Sequence, residues 1–539
     1  MPQRRYELNR FYNVFRGSIN WRRLAQKSTT LKDYASLSVL IYANFTGHSP
    51  FCLDPERMPT YGRSDSSSCA GFWLVCPDNT AGSLVNAPIC SGGSGTATDT
   101  AATTSVPDCA AEEQSDQAYC TTLNYVIRFY PRFMTYYQQN HSPANRLSGP
   151  DHMGPEFGIV VAPNDDTLYT TFRLDLAGGP QILTIPATTA TYSLLTLDVW
   201  GQIISTNIPQ LTPGTYALVS AGSTSALPTG AITVSIPYPM TWWIVRVDKY
   251  AANGEDQIAT ATTFRKALRL TSLATYNADP SRGATQLLPL ILYTSQMKTI
   301  TDSTVADSSD TFLQQLQQAL HDPTTAPLTS ADTQLSTAFD TLFATAQQNP
   351  DLMNRIVGAT HTAHDQIVQH WETHVNATHW VYFDNIGRWG TTDQDYLDRA
   401  ALSEYIQYGN SSTTAKYYDA FTDSNGNALD GHHAYQLTFT SAQIPRAKRF
   451  WSLTAYTPPG ITLVSNAANK YAVASYTPGL HRQVDGSITI YIQSTPPTDT
   501  PDTNWLPVPT GPFSLLLRVY GPDGNTATDY TPPGIVLQP

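Results

Sequence analysis

The sequence predicts an α+β chain, predominantly β, built from two antiparallel β-sandwich or jelly-roll-like domains joined by a helical segment. Three observations carry this. Short runs that alternate apolar and polar residues fill about 158–247 and return from 434 onward, each bounded by Gly, Pro, Asn or Asp. Between the two sets, 255–379 has apolar residues at helical spacing among good helix formers. Charged residues make up only 14% of the chain, against about 25% in an average soluble protein. Thr, Ser, Pro, Gly and Tyr take their place, a mixture that suits pleated strands and turns.

With 539 residues and a 41% apolar fraction, the chain can fill more than one core, and it divides into five parts. Residues 1–49 form a basic N-terminal arm and a helix. Eight basic and two acidic side chains within 1–33 give this arm +6 and leave −18 for the rest of a chain whose net charge is −12. The acidic remainder excludes general nucleic-acid binding outside the arm. The mostly apolar stretch 34–45 reads as a buried helix, or as the core of a late secretory signal. No apolar run reaches the roughly 18 residues of a membrane-spanning helix.

Residues 50–116 read as a Cys-rich irregular insertion. Cys52, Cys69, Cys76, Cys90, Cys109 and Cys120 are all the cysteines of the chain. Up to three disulfides would staple this segment in an oxidising compartment; free thiols in a reducing one are the alternative. Sequons at Asn44, Asn140, Asn376 and Asn410 favour the oxidising route. Being peripheral, 50–112 should be removable with both β domains still folding cooperatively, which thermal unfolding of the deletion variant checks.

The first β domain, 117–254, opens on a helical pattern over about 119–138 that Pro131 interrupts. Strand runs follow: GIVVAPNDD, TLYTTFRLDL, QILTIP, TYSLLTLDVW, TYALVSA, AITVSIP and WWIVRVD. The helical linker, 255–379, holds three clear patterns, near 310–322, 333–349 and 352–375. The second β domain, 380–539, starts with a mixed, turn-rich stretch to 430, then AYQLTFT, RFWSLTAYT, KYAVASY, SITIYIQ and FSLLLRVYG.

PNDDTLYTTFRLDL (163–176), then GPQILTIP, a strand ending in DVW, and WWIVRVD resemble the domain of unknown function 1254. DGHHAYQLTFTSAQIP, FWSLTAY, DGSITIYIQ and NWLPVPTGPFSLLLRVYGP, within 430–522, resemble the domain of unknown function 1214. The resemblance implies two sandwich or jelly-roll-like domains joined by helices, in proteins of bacteria, fungi and large DNA viruses. Some members have been considered hydrolases, with no agreed mechanism. The basic arm and the Cys-rich insertion depart from the common pattern.

Several residues can carry chemistry. Asn164, Asp165 and Asp166 precede Tyr169; a carboxylate here can act as a general base or hold a cation, and Pro-Asn-Asp is equally strong turn chemistry. Adjacent carboxylates on a strand face opposite ways, so at most one shares a pocket with Asn164. Arg173 and Arg246 lie inside strand runs, where a guanidinium can clamp a carboxylate or phosphate or pair with Asp175 or Asp198. His433, with Trp451, Tyr491, Asn504 and Trp505, can line a sugar- or phenol-binding cleft, or be core aromatics beside a turn. His370 and His374 share a helix face, as a weak metal pair or an ordinary stripe, and His361 and His364 form a second pair. No cofactor motif, phosphate loop or nucleophile elbow is present.

Two functional readings lead, ahead of a third, a metal-dependent enzyme that would use the histidine cluster. One is a surface, secreted or virion-associated β-rich binding or structural protein, with a small-molecule or glycan ligand and self-association, located extracellularly, at a cell surface or in a virion, with the cytoplasm as the alternative. The other is a hydrolase of an ester or glycosidic substrate, using Asp165, Asp166, Tyr169, Arg246 and His433 in a cleft between the β domains.

Overall fold

Residues 109, 116–157, 161–282, 297–498 and 501–539 are described by the computed structural model. The basic arm, the 34–45 stretch, nearly all of the Cys-rich insertion and the Asn44 sequon lie outside the described residues. The fold is α+β, with nine helices and sixteen strands among the described residues and no closed sheet.

The first sandwich pairs two sheets. One has the order β1-β6-β3, from Thr167–Asp175, Met240–Asp248 and Tyr192–Leu197. The other has the order β5-β4-β2-β7, from Ile232–Ile236, Gly214–Ser220, Gln181–Ile185 and Arg269–Ser272. Alternation along β1 sends Leu168, Phe172 and Leu174 into the shared core with Trp243 and Val245 of β6. Helix α1 (Gln117–His141) precedes this sandwich, and α2 (Ile258–Ala267) caps its core with Ala261 and Phe264. β7 lies past residue 254, inside the stretch that reads as helical; four residues are too few to display a period.

The helical layer comprises α4 (Met297–Asp307), α5 (Ser309–His321), α6 (Ser330–Ala346), α7 (Pro350–Thr373) and α8 (Asp393–Tyr405), with α1 packed among them; the short α3 is Leu273–Ala278. Local chemistry fixes several helix starts. The Asn349 side chain accepts from the Leu352 amide ahead of Pro350, and capping boxes join Thr329 to Asp332 and Thr392 to Asp395. Helix α1 runs unbroken through Pro131, against the expected interruption. A proline inside a helix costs about 3 kcal/mol, and the burial of Tyr130, Phe133 and Met134 around it offsets that loss. Cys120 on this helix is bonded to Cys109; the other four cysteines lie outside the described residues.

The second sandwich stacks β11-β10-β15-β8 (Thr462–Leu463, Ala447–Thr457, Ser514–Pro522, Ala415–Ala420), with β12 (Ala472–Ala474) also on β10. Its partner sheet is β14-β13-β9-β16 (Trp505–Pro507, Ile488–Gln493, Tyr435–Phe439, Val536–Leu537). The closing helix α9 is Asn525–Thr528. All described ladders are antiparallel except β4–β5 and β13–β14. β15 is buried along nearly its whole length. Leu515, Leu517 and Val519 enter the sandwich core, while Leu516, Arg518 and Tyr520 face the first domain and the helices. No helix among the described residues is long and apolar enough to cross a membrane.

Candidate functional site

Strands β6 and β15 are apolar on both faces because both faces are covered, one by a sandwich core and the other by the neighbouring layer. A polar side chain on the second face must find partners there. Both strands carry one arginine on it, Arg246 in β6 and Arg518 in β15. The two line a cavity of about 150 Å³ between the domains.

The cavity wall from the first domain follows strand register. Tyr169, Thr171 and Arg173 of β1 lie opposite Arg246, Ile244 and Trp242 of β6. The second domain adds Tyr417, Arg518 and Tyr520, with Arg518 and Tyr417 directly paired between β15 and β8. Ile406 and Tyr408 follow α8, and Met153 and Phe157 come from the loop after α1.

Polar contacts in the wall are one-sided. Arg246 is 5% exposed. It donates to the Tyr408 carbonyl at 3.2 Å and to Asn410 Oδ1 at 3.4 Å, and its Cζ lies 5.5 Å from the Tyr169 ring centre. No described carboxylate reaches ion-pair distance of it. Burial opposes its charge, but the oxygens of Tyr169, Tyr417 and Tyr520 more than offset that and hold its pKa above the ordinary value. Arg518 donates to the Ala162 carbonyl at 2.6 Å and lies 3.5 Å from Thr454 Oγ1; its Nε is buried without a partner among the described residues. Arg173 donates to the Ser142 carbonyl and sits 3.9 Å from Asp175. With the exposed Arg146, four arginines line the cavity and no Asp or Glu does.

The 163–166 segment docks the two domains rather than supplying a catalytic carboxylate to this wall. Asn164 Oδ1 accepts from the Asp166 and Thr167 amides, forming the turn, while its Nδ2 donates to the Tyr520 hydroxyl at 2.9 Å. Asp166 is fully buried and accepts from Ser452 and Tyr476. The Tyr456 hydroxyl donates to the Pro163 carbonyl at 2.8 Å. Asp165 turns the other way, bonded to Lys249 at 2.9 Å in a separate cleft beside Glu156, Asn469 and Tyr471. Arg449 of β10 grips Asp248 of β6 through two hydrogen bonds.

The remaining predicted residues lie elsewhere. His433 is exposed, in the turn at Asp430. Trp451 fills the second sandwich core, 5.5 Å from Phe439 ring to ring. Tyr491 pairs with Trp505 across β13 and β14, and Asn504 spends its amide on the His481 and Thr489 carbonyls. None of these four, nor His433, lines the interdomain cavity. His370 is bonded to Asp398 at 2.7 Å; His374 follows the end of α7 and stacks on Phe383 at 4.2 Å. Of the histidines, His364 instead joins Asp302 and Glu404 within 4.8 Å, a set that resembles a metal site. The Lys298 ammonium bonds both carboxylates, so the cluster is a buried ion network.

The sequence reading missed Arg518, Tyr417, Tyr520, Tyr408 and Asn410. For Arg518 a signal was available: FSLLLRVYG holds a lone arginine in an apolar strand, the pattern that singles out Arg246 in WWIVRVD. The Asn410 sequon is buried and its side chain committed to Arg246 and Tyr417, whereas Asn140 is exposed.

Residues 144–272 match the family described as Protein of unknown function (DUF1254), and residues 414–524 match Protein of unknown function (DUF1214). Among solved structures, the VPA0106 protein from Vibrio parahaemolyticus is similar at 19% identity and a TM-score of 0.49, over 78% of this chain and 100% of that one. An uncharacterized protein from Burkholderia cenocepacia is similar at 14% identity and a TM-score of 0.37, over 79% of this chain and 96% of that one. No curated protein matches the chain.

Proposed function

We propose that this pairing of two domains of unknown function binds a small organic anion in the interdomain cavity. One observation carries the reading: Arg246 is buried, lines the cavity and has no carboxylate partner among the described residues. A guanidinium held charged in a cavity without a carboxylate is a binding point for an anion. Trp242, Ile244 and Phe157 supply an apolar remainder, the usual composition of a small-molecule site. The many bonds between 162–166 and the second domain favour a preformed cavity, which lowers the ordering cost of binding.

Hydrolysis has less support. Neither Asp165, Asp166 nor His433 lines the cavity. A secreted or surface location goes with the binding reading, supported by the Cys109–Cys120 disulfide.

The test is thermal unfolding of the full chain with a panel of small anions: benzoate, acetate, phenylphosphonate and inorganic phosphate. At least one should stabilise the protein, by about 2.7 kcal/mol at a hundred times its dissociation constant. Arg246→Met should abolish that gain while still unfolding cooperatively in the absence of ligand. Stabilisation by none of the four, or equal stabilisation of the variant, defeats the reading.

A further inference from the structure

We infer that the ligand is a monocarboxylate on a flat, largely apolar body about the size of a benzene ring, a refinement that rests on the anion-binding reading above. Charge sets the valence. Asp166 is held by Ser452, the residue opposite Arg518 in the β10–β15 ladder, and Arg173 lies 3.9 Å from Asp175. Arg146 is exposed to solvent. Arg246, buried, has neither a neighbouring carboxylate among the described residues nor solvent, so one negative charge balances it and a dianion overshoots.

Hydrogen bonding sets the head group. The Tyr417 hydroxyl accepts from the Asn410 amide at 3.1 Å and from Asn410 Nδ2 at 2.6 Å. Its oxygen is thereby supplied with donors, and its own proton needs an acceptor. The Tyr520 hydroxyl accepts from Asn164 Nδ2, and burial holds this phenol well above the ordinary tyrosine range, so it keeps its proton. Neither hydroxyl donates to a described residue. Asn410 also ties Tyr417 to Arg246, through its Oδ1 at 3.4 Å. A guanidinium without a carboxylate and two phenol protons without an acceptor, all lining one cavity, match a planar group with two oxygens and a single charge.

Volume sets the body. A cavity of about 150 Å³ equals, in the same measure, one known to accommodate benzene. Trp242, Ile244, Met153 and Phe157 give it apolar walls.

Calorimetric titration of the full chain at pH 7 with benzoate, benzamide, phenylphosphonate and 2-naphthoate tests this. Benzoate should bind at least about tenfold more tightly than each of the others. Tyr417→Phe and Tyr520→Phe should each weaken benzoate by roughly three- to tenfold without changing the unfolding temperature of the ligand-free protein by more than a few degrees. If phenylphosphonate equals or surpasses benzoate and Arg246→Met removes its binding, the anion site stands and the carboxylate assignment falls. If 2-naphthoate binds as well as benzoate, the size assignment falls. Benzamide equal to benzoate, or benzoate binding untouched by Arg246→Met, overturns this inference together with the reading beneath it.

Discussion

Arg449→Ala is expected to destabilise the protein by about 3–5 kcal/mol at pH 8. Arg449 on β10 donates through Nε to Asp248 Oδ2 at 2.9 Å and through Nη2 to Oδ1, bridging the second sandwich to the end of β6 in the first. The side chains are 14% and 3% exposed. Burial already holds the Asp248 carboxyl above its usual range, and the arginine only partly reverses this. Without Arg449 the carboxylate is stranded, and its folded pKa rises further. A group whose folded pKa is raised incurs no penalty below its unfolded pKa and a growing one as pH rises through the folded value. The deficit of the variant should therefore be small near pH 4 and full at pH 8. Asp248→Leu combined with Arg449→Met should return to within about 1 kcal/mol of wild type, since neither charge is then stranded. Urea unfolding of wild type, single and double variants across this range measures all of it. A deficit under 1 kcal/mol, or one independent of pH, would remove the pair from its place as the interdomain clasp.

That clasp also explains which parts of the molecule were legible in the sequence. Strands such as β6 and β15 announce themselves by length and by apolar content on both faces, and so do long amphipathic helices such as α5 and α7. β7 and β8 do not. β7 is four residues long, and β8 (AKYYDA) is buried on both sides yet carries Lys416 and Asp419, whose partners come from distant parts of the chain. Helix α8 was hidden in a stretch dense with Asp and Thr, where the capping box of Thr392 and Asp395 was the available sign. The site divides in the same way. Arg246, Arg173, Tyr169 and Asn164 could be singled out because each breaks a local pattern. What assembles around them cannot be read from one strand. Asn410 lies 164 residues from Arg246, and Tyr520 lies 356 from Asn164. Adjacency in sequence also misled: Asp165 and Asp166 are neighbours in the chain but face different surroundings, one paired with Lys249 and the other buried against Ser452.

Glu404→Gln should be comparably destructive, and its pH signature distinguishes it. Glu404 is wholly buried; it accepts from the Tyr130 hydroxyl and pairs with Lys298, which also bonds Asp302 at 3.0 Å. His364 Nε2 lies 3.5 Å from Asp302 and 3.8 Å from Glu404. Burial alone would lower the His364 pKa, but the two carboxylates more than offset it and lift the imidazole to about 9. The cluster thus folds with two cations and two anions. Removing one anion leaves an excess buried cation, at about 3–5 kcal/mol at pH 7. Between the unfolded value near 6.5 and the folded value, the native state binds more protons, so wild-type stability should fall as pH rises through this window, by on the order of 3 kcal/mol in all. Lys298 stays charged throughout, since its carboxylates outweigh burial and raise its pKa. Burial raises Asp198 to about 6 and Asp419 to about 7. They act mainly below this window, equally in both proteins, and cancel in the comparison. With Glu404 replaced, His364 loses one carboxylate, its folded pKa drops, and its share of the decline shortens. The gap between wild type and variant should therefore narrow from pH 6.5 to pH 9, and in His364→Gln the decline over this window should vanish. Chemical denaturation at pH 6, 7.5 and 9.5 decides the matter: parallel curves for wild type and Glu404→Gln would mean that His364 does not draw its proton affinity from this network.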